Sequence, residues 1–310
     1  MEQSLRGEIR YMMKKKNILI IFLALASVAF AATDSAIFGE DLIWNILAYD
    51  KEGSLHLGKW FTILQGKYFS MAYLAIVLGV PAVFLIHYLI IGPMIFSHDR
   101  KKIYVFTLFH RLIHWLAGIS FIVLIPTGFV MVFGTFFGGG EFVRVCKELH
   151  AISTIFFAIS VVPMLVMWFR EMLPTSDDIK WLKILGGYLN KRKDPIPAGK
   201  FNAGQKMWFW ICTVGGIFMI ITGAIMFFQD FKLGIITWIG ISQIDLLRAS
   251  AIFHNVLGMA VAALFMTHIY MSVFAIKGAI HSILTGYKEE EEVEILHSTF
   301  YKELKEKKEV

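Results

Sequence analysis

The sequence predicts an all-α membrane protein, and three observations lead there. Of 310 residues, 57% are hydrophobic and only 17% charged, against ~25% charged in an average soluble domain. Mean hydropathy is +0.63. The charges gather between apolar runs too long and continuous for the ~9–11-residue alternating strands of a membrane barrel. An ordinary soluble enzyme and a disordered chain are both excluded. The net charge of +6 reads as a positive-inside bias, because Lys and Arg are concentrated in particular loops; no nucleic-acid partner is expected.

Six apolar runs stand out, near 18–32, 69–96, 104–136, 150–169, 207–228 and 250–276. The first is short. It follows Lys14, Lys15 and Lys16 and ends at Ala29-Phe30-Ala31, so residues 1–31 read as a signal peptide or an uncleaved anchor. Either way residue 33 lies outside the cytoplasm. Residues 32–68 then form an outer segment, with Lys51, Lys59 and Lys67 against five acids. The run at 69–96 passes inward and exits at His98-Asp99-Arg100-Lys101-Lys102. Four further runs, within 104–287, cross out, in, out and in. The inner loop at 170–206 carries eight Lys and Arg, among them Arg170, Lys180, Lys183 and Lys206. Residues 288–310 are a charged tail, expected on the cytoplasmic side as a solvated helix or frayed end. This is the topology of a multi-pass protein of the bacterial inner membrane. Cys146 and Cys212 fall at opposite membrane faces and are not expected to pair. No CxxC or CxxCH occurs, which removes covalent haem attachment and thiolate cluster ligation. No internal repeat is evident.

Ionisable side chains in a bilayer are costly and mark functional sites. Of ten histidines, the informative ones are His110, His114, His150, His254 and His268. His254 and His268 share the last run. Fourteen residues at 100° each make ~1400°, within ~40° of four full turns, so they share a face ~21 Å apart along the axis. One metal ion cannot bridge that distance; two centres stacked across the membrane can use it. His150 matches the depth of His254 on the outer side, and His114 matches His268 on the inner. Two bis-imidazole sites among Phe, Leu, Ile and Met suit two b-type haems, with both axial positions filled for electron transfer. Gly118 and Gly258, one turn after His114 and His254, would let a flat macrocycle approach the backbone. Depth alone leaves His110 as an alternative to His114. His87 finds no partner at its depth, and His56, His98, His281 and His297 sit in polar surroundings.

Arg111-Leu112-Ile113-His114-Trp115, then Leu149-His150, then Lys200-Phe201-Asn202-Ala203-Gly204-Gln205-Lys206-Met207-Trp208-Phe209-Trp210, then His254 and His268-Ile269-Tyr270-Met271 follow one another along 104–287. This series resembles the cytochrome b (gamma) subunit of respiratory, membrane-bound formate dehydrogenases. The resemblance implies a transmembrane four-helix di-haem cytochrome b bundle, here with one extra N-terminal transmembrane helix and a signal-like N-terminal segment. It implies His150 and His254 as ligands of the outer haem iron and His114 with His268 of the inner, with His114 preferred over His110. It implies menaquinone near Asn202, Gly204, Gln205 and His268. On their own, Asn202 to Gln205 read equally as a helix N-cap, and the two roles are compatible. The implied partners are an iron–sulfur beta subunit and a molybdenum- or tungsten-containing alpha subunit, besides lipid and quinone. Arg111 and the inner lysines could meet haem propionates or lipid phosphate. The rival expectations are the cytochrome b subunit of a membrane-bound nickel–iron hydrogenase and a haem-free transporter or scaffold.

Overall fold

The structure, a computed structural model, describes residues 55–190, 193–230 and 234–307. The first apolar run and the signal-like segment lie outside these residues, as does most of the expected outer segment. The other five runs become five helices long and apolar enough to cross a membrane: α1 (Gly58–Ile90), α2 (Leu108–Val132), α3 (Gly140–Trp168), α5 (Ala203–Phe227) and α6 (Gln243–Ala275). A short α4 (Ser176–Lys183) lies between α3 and α5. After α6 come α7 (His281–Thr285), strand β2 (Tyr287–Glu289), α8 (Glu290–Leu296) and α9 (Ser298–Glu306).

Several helices begin before the apolar runs do. α3 starts at Gly140 rather than near 150, because Glu141, Arg144, Lys147 and Glu148 extend the helix as polar turns beyond the apolar stretch. Likewise α1 starts at Gly58, so the end of the expected outer segment is already helix. Thr107 caps α2 and Ser242 caps α6, each accepting a backbone N–H from the third residue on. α2 packs along α3, α5 along α6, and α1 along α6. Where α5 crosses α3, a Cβ on Gly216 would lie 2.6 Å from the Phe157 ring, so only glycine allows this approach. Phe121 and Phe157, with rings 4.9 Å apart, stand at the middle of the resulting core.

One end of the bundle is capped. Strand β1 (Lys102–Tyr104) pairs antiparallel with β2, Lys102 opposite Glu289 and Tyr104 opposite Tyr287. The tail is therefore neither frayed nor freely solvated. Val293, Leu296, Tyr301 and Leu304 are buried, and the tail is stitched to the inner loop by Ile196 N–H to Ile295 O at 2.7 Å and Ser298 N–H to Ile196 O at 3.1 Å. His297, expected in polar surroundings, is buried: Nδ1 meets Gly199 O at 2.8 Å and Nε2 lies 3.4 Å from Lys288 Nζ. Charge counting missed this because the amphipathic pattern of α8 and α9 is short and its apolar residues find their partners in distant loops and at the end of the bundle core. Both cysteines are buried and free.

Candidate functional site

The sequence-predicted histidines fall at two depths. Toward the capped end, His114 of α2 and His268 of α6 have ring centres 6.1 Å apart, tilted by 54°. Two imidazoles that share one iron, each through a nitrogen about 2 Å from the metal, have ring centres about 6 Å apart. Trp208 of α5 stacks on His268 at 5.6 Å and Trp115 stands edge-on to His114 at 5.8 Å, so aromatic planes wall the pair. The buried Nδ1 of His114 has no hydrogen-bond partner among the described residues. A buried polar atom left so costs about 1–3 kcal/mol, a cost tolerated where a side chain serves something other than folding.

Toward the opposite end, His150 of α3 and His254 of α6 lie close enough for their charges to interact. Their environments are near copies. His150 Nδ1 is 3.0 Å from Thr127 Oγ1 of α2, and His254 Nδ1 is 2.9 Å from Thr222 Oγ1 of α5. A glycine follows each threonine. A Cβ on Gly128 would stand 3.5 Å from His150 Cε1, and one on Gly223 would stand 3.4 Å from His254 Cε1. The Thr-Gly pair thus lets each imidazole lie directly against the neighbouring helix. The same device in α2–α3 and in α5–α6 is a two-residue repeat, present in the sequence as Pro126-Thr127-Gly128 and Ile221-Thr222-Gly223. It is too short to register as a repeat until the fold brings each copy to a histidine.

No hydrogen bond engages the Nε2 atom of any of these four histidines among the described residues. Four imidazoles at two depths within apolar helices, with no Nε2 hydrogen bond among the described residues, form a donor set that fits haem b.

The remaining candidates are placed differently. His110 belongs to the N-cap of α2, its Nδ1 accepting from Thr107 N–H at 3.2 Å, and its ring stacks on Trp168 at 5.6 Å. His87 of α1 has both nitrogens engaged. Nε2 lies 2.8 Å from the Tyr188 carbonyl, which can only accept, so Nε2 donates and Nδ1 accepts from Tyr270 O–H at 2.6 Å. His87 therefore ties the first helix to α6. Arg111 donates to Leu284 O at 2.6 Å, while its buried Nε has no partner.

Asn202 and Gln205 form a reciprocal cap at the start of α5: Asn202 Oδ1 accepts from Gln205 N–H at 3.0 Å and Gln205 Oε1 from Asn202 N–H at 2.9 Å. The Tyr188 hydroxyl is hydrogen-bonded to Asn202. Gly204 lies against Trp181, where a Cβ would come 3.1 Å from the indole. Lys206 is buried in an ion pair with Asp178 at 2.8 Å, which fixes α4 to α5. Trp208 links this turn to the His114–His268 pair. The N-cap reading of the turn is realised, and its side chains and His268 are brought to the same end of α5 and α6.

Comparison with known proteins agrees with this architecture. The chain is 28% identical over 221 residues to the cytochrome b556 subunit of the nitrate-inducible formate dehydrogenase of Escherichia coli, covering 66% of this chain and 94% of that protein. A formate dehydrogenase cytochrome b556 subunit of Haemophilus influenzae is 25% identical over 197 residues, 62% of this chain and 79% of its own length. A second formate dehydrogenase cytochrome b556 subunit of Escherichia coli is 24% identical over 217 residues, with 66% and 95% covered. The prokaryotic cytochrome b561 family matches residues 105–286, the stretch that holds α2 to α7 and all four paired histidines. The chain, a multi-pass membrane protein built as an α-helical bundle, belongs to the prokaryotic cytochrome b561 family.

Proposed function

We propose that this chain is the membrane-anchoring cytochrome b subunit of a respiratory formate dehydrogenase, carrying electrons from a periplasmic iron–sulfur subunit to menaquinone at the cytoplasmic end. Family membership implies b-type haem. The observation that carries the fuller reading is the pairing of four histidines at two depths, His150 with His254 and His114 with His268. These four histidines would hold two haems, which would supply one-electron redox chemistry there. The similar proteins named above are formate dehydrogenase subunits, which favours formate as the electron source.

This chain's residues do the holding. His114 and His268 fix the inner site between aromatic walls. Around Asn202 the first N–H groups of α5 have no partner within the helix. Asn202 takes that of Gln205, which leaves those of Ala203 and Gly204 to meet a quinone carbonyl oxygen. Gln205 keeps the turn rigid and Trp208 joins it to His268. The capped end carries the basic loop and faces the cytoplasm, from which the quinol takes its protons. Moving each electron inward against 100 mV costs ~2.3 kcal/mol, so the donor is strongly reducing. A molybdenum- or tungsten-containing subunit that oxidises formate, coupled through the iron–sulfur subunit, meets that demand.

The test is spectroscopic. The complex, purified from membranes, is expected to contain two haem b per chain and to show a reduced α band on adding formate. His150→Ala should lose the outer haem. His268→Ala should lose the inner haem and quinol formation. Two low-spin haems retained in both variants would overturn the ligand assignment. Reduction by hydrogen and not by formate would move the chain to a hydrogenase, and absence of haem would make it a scaffold.

A further inference from the structure

The two histidine pairs differ in what holds the nitrogen remote from the metal. In the outer pair, Thr127 Oγ1 lies 2.7 Å from Val123 O and Thr222 Oγ1 lies 2.8 Å from Phe218 O. A carbonyl oxygen has no proton to give, so each hydroxyl proton is spent on its own helix. What each hydroxyl offers the imidazole is a lone pair. His150 and His254 must therefore carry their proton on Nδ1, donated to Thr127 and Thr222 at 3.0 and 2.9 Å. That tautomer leaves Nε2 as the free base. In the inner pair, by contrast, the buried Nδ1 of His114 has no acceptor among the described residues.

A hydrogen bond accepted from the outer nitrogen of a ligating imidazole increases the basicity of the ligating one. A more basic ligand favours the oxidised, more positive iron. Resting on the two-haem reading above, we propose that Thr127 and Thr222 are positioning residues that fix the outer ligands as Nε2 donors and set the outer haem at a lower midpoint potential than the inner. The difference makes electron flow from the outer to the inner site downhill. It arises from one hydroxyl on α2 and one on α5, each acting through an imidazole.

The experiment is an optical redox titration of the intact complex, each haem being identified by its loss in His150→Ala or His268→Ala. In the unaltered protein the outer haem should titrate below the inner. Thr127→Val and Thr222→Val keep the shape and remove the hydroxyl acceptor, leaving the backbone groups of Leu124 and Met219 beside the two rings. Each should raise the outer midpoint, and the double variant should raise it further, with the inner midpoint unmoved. Thr127→Ser and Thr222→Ser keep the hydroxyl and should restore the original value. If the valine variants lose the outer haem while the serine variants keep it, the hydroxyl is needed and the proposal stands. If the serine variants lose it while the valine variants keep it, methyl packing is responsible and the proposal falls. It falls also if the outer haem titrates above the inner, or if the valine variants leave its midpoint unchanged. A preparation with only one haem would overturn the two-haem reading and this proposal together, whereas two haems with unmoved midpoints would overturn this proposal alone.

Discussion

At the scale of single residues, the site depends on groups that a search for ligands passes over. Gly128 and Gly223 are examples. A leucine at either position would drive its side chain into an imidazole that already lies within van der Waals range of the missing Cβ. On the two-haem proposal, Gly128→Leu and Gly223→Leu are each expected to halve the haem content by displacing the outer haem, with the inner haem's spectrum retained; a pyridine haemochrome assay reads this directly. Asn202→Ala removes the cap of α5 and should cost about 0.5–2 kcal/mol. It is expected to appear as a lower Tm, together with a raised KM for menaquinone analogues if the turn also holds the quinone. That His254 and His268 lie at two depths of one helix was legible in the sequence because helix length and membrane depth are both readable from residue counts. Thr127 and Thr222 were not. A threonine inside an apolar helix ordinarily bonds back to a carbonyl one turn earlier, and both do so here; their second contact exists only once another helix arrives.

At the scale of elements, the tail departs most from expectation. Its charges suggested solvent, yet Lys288 and Glu292 pair at 2.6 Å with side chains 9% and 3% exposed. Removing one member strands the other, so Glu292→Ala should weaken tail docking by about 3–5 kcal/mol, seen as rapid proteolysis of α8 and α9. His297 responds to pH. Burial and the nearby Lys288 ammonium hold its pKa down, to about 3, whereas an undocked tail would titrate near ~6.5. Acid therefore favours the undocked form. The contribution of His297 is complete above about pH 6.5 and declines as pH falls from there toward about 3. The charged groups beside it are Lys288 and Glu292. Hydrogen exchange in 288–306, corrected for intrinsic rates, should rise between about pH 7.5 and about pH 5; His297→Gln should flatten that dependence. The five membrane helices were visible as apolar runs, and their polar first turns were not, because a helix continues past the point where its sequence ceases to be apolar.

At the scale of the whole molecule, the bundle has one capped end and one end without such a cover among the described residues. The inner loop, the β1–β2 pair and the tail are a single packed unit, so they share one side of the membrane. On the orientation proposed above, from the positive-inside bias, that side is the cytoplasm. Single cysteines placed at Lys180 and at Lys302 should both resist a membrane-impermeant thiol reagent in intact cells and both react in inverted vesicles, whereas labelling of either from outside would reverse the orientation. The first helix is bound to this frame through His87, whose two hydrogen bonds reach Tyr270 of α6 and the Tyr188 carbonyl.

The pairing of β1 with β2 also sets an order of events at the ribosome. Strand β1 emerges just before α2, but its partner does not exist until α6 has been translated. The membrane helices α2 to α6 are therefore all made while the cap at that end of the bundle is still in pieces. A nascent chain that stalls within the last helix would expose the bare edge of β1 and the apolar loop surface the tail normally covers, and those are the features by which a protease could tell unfinished copies from finished ones.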